Sequence, residues 1–330
     1  MGAGEYEILH HNVLSRVLEK FAPPASFLGA QIFKPEPVLA ESVGIDIQIG
    51  ARHMAPYRHP DAAAGLQALE SIDHIDVTLP AMREKKLIPS SVLKVLRKPG
   101  TEHTNWGEAK LRRELRSLRT IIDKRREWAR WQILTTGKLA YTGDIAFEVD
   151  FGISATHTPA LSGTDKWDDY VNSDPIDDIS GWKEIFAQDS DKQMVKAYVN
   201  NITMNHMMHN AAIRALMGDD YKTQILKSGR ITTLMDLEWE VYDLGYVPEG
   251  GSFTKFLSDG LVVFSAGDPF PEYEGLVSDE GDAENEPASK PGWFSKSWRA
   301  PDPSGRYVLV ACNPLPSGER VEELFCADVF

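Results

Sequence analysis

The chain has 330 residues, 42% apolar and 25% charged, and its 49 Asp and Glu against 35 Lys and Arg give a formal net charge of −14. This is the composition of a soluble globular protein of one to two domains with a sizeable core. No stretch approaches the ~20 apolar residues of a membrane span and the first twenty residues lack a signal-peptide apolar core, so folding in a cytoplasm is expected.

Tyr6 to Phe21 has the apolar spacing of an amphipathic helix. The proline-bearing segment after it, APPASFLGAQIFKPEPVLAE, favours extended backbone, and residues 1–42 read as an N-terminal arm. Val43 to Ile49 and Ile75 to Leu79 alternate at period two with Pro60 to Leu69 between them, which predicts a long two-stranded excursion over residues 43–88. Such a pair has too little apolar surface to stand by itself, so it should rest on other surface, another subunit included.

Between Asn105 and Leu134 lies a helical stretch with nine Lys/Arg against four Asp/Glu, which leaves −19 on the remainder of the chain. Leu111, Leu115, Leu118, Ile122, Ala129 and Ile133 step by four, three, four, seven and four, the period of one helical stripe facing a core. Neither Gly nor Pro occurs from Glu108 to Thr136. Roughly 27 to 30 residues at 1.5 Å each then make a rod of about 40 to 45 Å. Asn105 is the expected N-cap, with Glu108 as its box partner, and Gly137 the expected left-handed C-cap. Trp128 and Trp131 should bury against a sheet or a neighbouring chain, core packing being favoured.

Lys138 to Ile153 reads as a hairpin with its turn at Thr142-Gly143-Asp144. Trp182 to Leu257 mixes helix and strand patterns, with strands over Val195–Thr203 and Trp239–Tyr242 and a helix over Met208–Met217. Asp268 to Glu286 holds eight carboxylates and no Lys or Arg, which predicts a solvated loop. Tyr307–Ala311 and Glu322–Phe330 read as strands, and no internal repeat is visible.

Catalytic motifs are absent. Gly137-Lys138 lacks the upstream glycine and the Ser/Thr of a phosphate loop, and the Gly2-x-Gly4 pair lacks a preceding strand. Cys312 and Cys326 lie in a late β-like segment without metal-type spacing and are expected to be buried, reduced thiols. His206 and His209, at i and i+3, could begin a metal site together with the acidic run Asp165, Asp168, Asp169, Asp174, Asp177 and Asp178. A metal-dependent enzyme using Asp165, Asp168, Asp169, His206 and His209 is therefore the alternative reading. Arg112, Arg113, Arg116, Arg119, Lys124, Arg125, Arg126 and Arg130 could neutralise phosphates. They are spread round the helix and interleaved with acids, however, and a pI near 5.1 favours a salt-bridged structural helix over a DNA-binding one.

Two stretches and the order of parts carry a resemblance. ARHMAPYRHPDAAAGLQALESIDHIDVTLPAMREKKLI, with Ala55-Pro56-Tyr57, Gly65 and Ile75 to Lys86, is similar to the extended loop of the major capsid protein E family of tailed phages, which includes the head protein of phage lambda. WEVYDLGYVPEGGSFTKFLSDGLVVFSAGD is similar to that family's strand, turn and strand around Val241-Tyr242, Tyr246 and Phe256-Leu257-x-Asp259. Gly137 to Phe151 and Asp174-Pro175-x-Asp177-Asp178-Ile179 also fit, so the likeness covers most of the chain. Its departures are the acidic stretch 268–286 and the segment Trp182–Leu237.

The resemblance implies an α+β protein of the Hong Kong 97 phage capsid fold. Its expected parts are the arm (1–42), the extended loop (43–88) and a peripheral domain (89–180) with spine helix 105–134 and hairpin 138–153. An axial domain (181–300) with acidic loop 268–286 follows, then C-terminal strands (301–330) returning to the peripheral domain. It implies no enzyme activity, catalytic residues, cofactor or metal. It also implies self-association into hexamers and pentamers around double-stranded DNA without sequence-specific binding, in a virion assembled in the host cytoplasm. Portal, scaffolding and decoration proteins would be the other partners, with no membrane. In such an assembly the helix's arginines would find a neighbour's acids.

Overall fold

The apolar stripe of the basic segment is buried as its spacing requires: Leu111, Leu115, Leu118 and Ile122 are each at most 2% exposed on the helix Glu102–Thr136. The computed structural model describes residues 9–47, 57, 73–91, 102–142, 146–248, 250–281 and 286–330. The chain divides into two compact units, one formed by Met1–Val43, Asp76–Arg130 and Phe270–Ser317, the other by Gly44–Ile75, Trp131–Pro269 and Gly318–Phe330.

In the first unit strands Phe33–Pro37, Phe270–Asp279, Gly305–Pro316 and Phe294–Ala300 hydrogen-bond in that order. Ala288–Pro291 adds to Phe270–Asp279, and Met82–Pro89 to Gly305–Pro316. The Phe33–Pro37 pairing is parallel and places Phe33 opposite Phe270. Among the described residues this strand pairs on one side only, as an edge strand that tolerates Pro35 and Pro37, which have no N–H to donate to a ladder. Leu14 and Leu18 of the helix His11–Glu19 join Leu111, Leu115, Leu118, Ile122, Val308 and Val310 in one apolar cluster.

In the second unit a five-stranded sheet runs in the order Phe325–Asp328, Leu261–Ser265, Lys196–Val199, Leu237–Val241, Thr233–Leu234. Helix Pro175–Ser190 starts where Asp174 accepts hydrogen bonds from the Ile176 and Asp177 amides, with Pro175 in the first turn. Its residues Ile179, Trp182 and Phe186, spaced three and four apart, bury among Trp167, Phe264 and Phe325. Trp131 is fully buried, stacked on Tyr242 with centroids 4.8 Å apart and edge-on to Tyr198 at 6.0 Å. Trp128, expected in the core with it, is only half-buried beneath the Arg125 guanidinium.

Several expected boundaries shift. The helix begins at Glu102, so the expected N-cap Asn105 lies inside it; within a helix Asn costs only tenths of a kcal/mol, too little to stop one that tertiary packing extends. Gly137 does take the left-handed conformation, φ +65°. A Cβ there would also sit 2.7 Å from Ile153. The stretch read as a solvated loop from Asp268 is strand from Phe270 to Asp279. Val195–Thr203 is strand only to Val199, because Asn200 caps a helix over Asn201–His209. The helix expected over Met208–Met217 is interrupted at Asn210, which caps a second helix, Ala211–Leu216.

The hairpin pairs Lys138–Thr142 with Ala146–Asp150; Gly143 and Asp144 of its expected turn lie outside the described residues. Ala55, Pro56, Gly65 and the segment Pro60 to Leu69 lie outside them too, whereas the flanking strands Ser42–Ile47 and Asp73–Thr78 pair. Residues 270–300, expected in the axial domain, belong to the first unit, and residues 318–330, expected to return to the peripheral domain, to the second.

Leu115→Ala should cost about 2–5 kcal/mol in urea unfolding, by lost burial and a residual cavity, whereas Ile121→Ala, 46% exposed in the native chain, should cost less than about 0.5 kcal/mol.

Candidate functional site

On an α-helix residues four apart rise about 6 Å along one face, and on a strand residues two apart are about 6.6 Å apart on one face. Arg126 and Arg130 present the first spacing and Glu272 and Glu274, on the strand Phe270–Asp279, the second. The two sets interlock. Arg126 grips Glu272 through two nitrogens, Nε to Oε1 at 3.1 Å and Nη2 to Oε2 at 2.6 Å, and Nη2 also reaches Glu274 Oε1 at 2.7 Å. Arg130 Nη2 donates to the same Glu272 Oε2 at 2.6 Å and Nη1 to Glu127 Oε2 at 3.2 Å.

The other Glu127 oxygen accepts the Gly29 amide at 2.8 Å, and a Cβ on Gly29 would stand 2.7 Å from Glu127 Oε2. Any side chain at 29 would have to displace the Glu127 carboxylate from its bonds to Gly29 and Arg130. Arg119 pairs with Asp123, 3.4 Å away, and donates to the Leu18 carbonyl. The Trp293 ring lies under Arg119 at 4.5 Å and Arg126 at 5.4 Å. Three guanidinium groups and the carboxylates of Asp123, Glu127 and Glu272 are thereby withdrawn from water inside the first unit, with Glu274 partly exposed at the edge.

Burial by itself would raise the Glu272 carboxyl, but the charges and hydrogen bonds of Arg126 and Arg130 overcome it and hold the group at about 2. Burial depresses Arg126 in the same way, and its carboxylate partners raise it well above the ordinary arginine value. Asp123 shows the opposite balance, for burial raises it despite Arg119, Arg126 and Arg130. The Cys312 thiol, 4.0 Å from Arg126, is pushed up by burial, and burial pushes Cys326 up to about 12, so both are inert thiols.

The structure does not gather the candidate metal ligands. Asp169 closes a turn by accepting from Val171 and Asn172. Asp174 caps a helix and Asp178 accepts the Trp167 indole N–H at 2.9 Å, while Asp165 and Asp168 are exposed. His206 Nδ1 is hydrogen-bonded to the Tyr170 hydroxyl at 3.1 Å, and His209 Nδ1 donates to the Asn205 carbonyl at 2.8 Å. Among the described residues no group of three or more His, Cys, Asp or Glu is placed to hold a metal ion. The alternative reading as a metal enzyme has no assembled centre behind it.

Of the eight cationic residues weighed for phosphate contact, Arg119, Arg126 and Arg130 are consumed in the buried cluster, while Arg112, Arg113, Arg116 and Lys124 are exposed. Glu272 and Glu274, the partners, were concealed in the sequence by the acidic run around them. The signal that could have found them is the pair of strand formers, Phe270 and Tyr273, between and beside the carboxylates.

A family model described as phage major capsid protein E matches residues 11–329. No curated protein matches the chain. Among solved structures, a prophage protein of Escherichia coli CFT073 assigned as a capsid protein is similar at 17% identity and a TM-score of 0.64, over 98% of this chain and 99% of that one. A phage-related protein of Bordetella bronchiseptica RB50 is similar at 12% identity and a TM-score of 0.59, over 97% of each chain. At these identities the likeness is one of fold.

Glu272→Gln should cost about 3–5 kcal/mol in urea unfolding at pH 7, because two guanidinium groups lose the charge they share in a buried site. Glu272 lies at about 2 folded against 4.5 free, so its stabilisation is complete above about pH 4.5 and lost as pH falls through about 2. A shift of that size corresponds to about 3 kcal/mol. Asp123, raised by burial, runs the other way and offsets part of the loss. Unfolding curves across that pH range should therefore fall for the wild type and flatten for the Gln variant.

Proposed function

Since the chain belongs to the phage major capsid protein E family and has the Hong Kong 97 phage capsid fold, we propose that it closes, as hexamers and pentamers, into an icosahedral head around double-stranded DNA. Its role is that of a structural capsid protein of the virion. The observation that carries this reading is the family match across residues 11–329, joined to a fold likeness that spans nearly the whole chain.

The parts have physical roles in such a shell. Strands Ser42–Ile47 and Asp73–Thr78 form, among the described residues, a two-stranded sheet of their own, and they are the base of an extended loop laid across a neighbouring subunit. Residues 1–42 act as the arm, and the segments around the long helix and around the five-stranded sheet as peripheral and axial parts. Assembly takes place in the host cytoplasm, with portal, scaffolding and decoration proteins as further partners. A chain of net charge −14 contacts packed DNA weakly, which leaves the genome free to enter and leave.

Negative-stain electron microscopy and sedimentation of the expressed chain should show large closed particles with five- and six-fold capsomers. A chain that stays monomeric at every salt concentration and pH would overturn the proposal. Purified shells should also release added double-stranded DNA at low salt, and tight retention would contradict the weak-wall reading.

A further inference from the structure

The long helix has a second face that the buried cluster does not use. At about 100° per residue, Arg113, Thr120 and Lys124 fall within about 20° of one line, with Arg116 and Ser117 flanking it. This line is roughly opposite the buried stripe of Leu111, Leu115, Leu118 and Ile122. Arg113, Arg116 and Lys124 are exposed, and beside them Ile121 is 46% exposed. The nearest acid in sequence, Glu114, lies at the edge of this face and is paired with Lys86, whose Nζ donates to Glu114 Oε2 at 3.2 Å and to Ser117 Oγ at 2.8 Å. Arg116 lies over the Phe21 ring at 4.9 Å, and stacking of that kind leaves the in-plane N–H donors of a guanidinium for carboxylates. Among the described residues the face carries three cations along about 16 Å of helix, and the one acid at its edge, Glu114, is already paired with Lys86.

We propose that this stripe of Arg113, Arg116 and Lys124 is a docking surface for a carboxylate-bearing face of a second copy of the same chain. The inference rests on the proposed self-assembly and names one contact within it. Charge complementarity selects the occupant. The chain carries 49 acidic against 35 basic residues, and three of its helix arginines are already neutralised inside the fold, so a copy's surface presents carboxylates in excess. Nucleic acid is the weaker fit. Three phosphate contacts give a salt slope of only about −2.7, too little to hold a polyanion against a net charge of −14. Complementary charge between copies also fixes register and rejects like-charged pairings.

The test compares the wild-type chain with R113Q/R116Q/K124Q and R113E/R116E/K124E, each checked for native near-UV circular dichroism and melting. The glutamine variant removes the charge while keeping a polar, unbranched side chain of similar helix propensity, so a loss of assembly there is not a loss of the helix. Sedimentation should show that the glutamine variant needs at least about tenfold more protein than the wild type to assemble, and that the glutamate variant stays unassembled. Wild-type assembly should weaken as salt rises from about 0.05 to about 0.5 M, and the glutamine variant should lose that dependence. Variants that assemble at the wild-type concentration overturn the inference while leaving the proposed function standing. So does a glutamine variant that assembles normally but loses retention on immobilised double-stranded DNA, which would make the stripe a nucleic-acid contact. A wild-type chain that never assembles removes both.

Discussion

The match between a helix rise of about 6 Å over four residues and a strand rise of about 6.6 Å over two underlies the core of the first unit. It allows Arg126 and Arg130 to meet Glu272 and Glu274 face to face, with Glu272 bridging both arginines and Glu127 tying the arrangement to the backbone at Gly29. Buried ion pairs seldom add stability over an apolar core of equal volume, since desolvation consumes most of the attraction. What such a cluster does supply is register. A strand that slips by one residue turns Glu272 and Glu274 to the other face and leaves the arginines unpaired in the interior.

The remainder of that unit is organised around the same contact. The strand bearing the two glutamates is also the one that pairs with Phe33–Pro37 and with Gly305–Pro316, so fixing it fixes segments from both ends of the sequence. Apolar packing by Leu14, Leu18, Leu111, Leu115, Leu118 and Ile122 provides the bulk of the burial. That packing alone would tolerate rotation or sliding of one element on another, which the charged cluster forbids.

The distribution of charge round one helix separates two tasks. Arginines at 119, 126 and 130 are spent inside the fold, where the low dielectric makes each partner obligatory. Those at 113 and 116, with Lys124, face water, where each pair is worth little and responds to salt. In the proposed shell, weak and reversible contacts on this face would let misplaced subunits be corrected during growth, whereas the interior must not yield.

The sequence by itself determined the long helix, its buried stripe, the left-handed cap at Gly137, the hairpin after it and the family resemblance. Each is written in local periodicity, or in an ordered set of short motifs spread along the chain. It did not determine which arginines are buried, that Phe270–Asp279 is strand rather than loop, or that Asn200 and Asn210 restart helices. Those outcomes depend on partners far away in the chain, Arg126 and Glu272 being 146 residues apart. A run of acidic residues looks solvated until its counter-ions are known. Only the tertiary structure brings them together, because the desolvation of a charge is decided by everything that surrounds it and not by its neighbours in sequence.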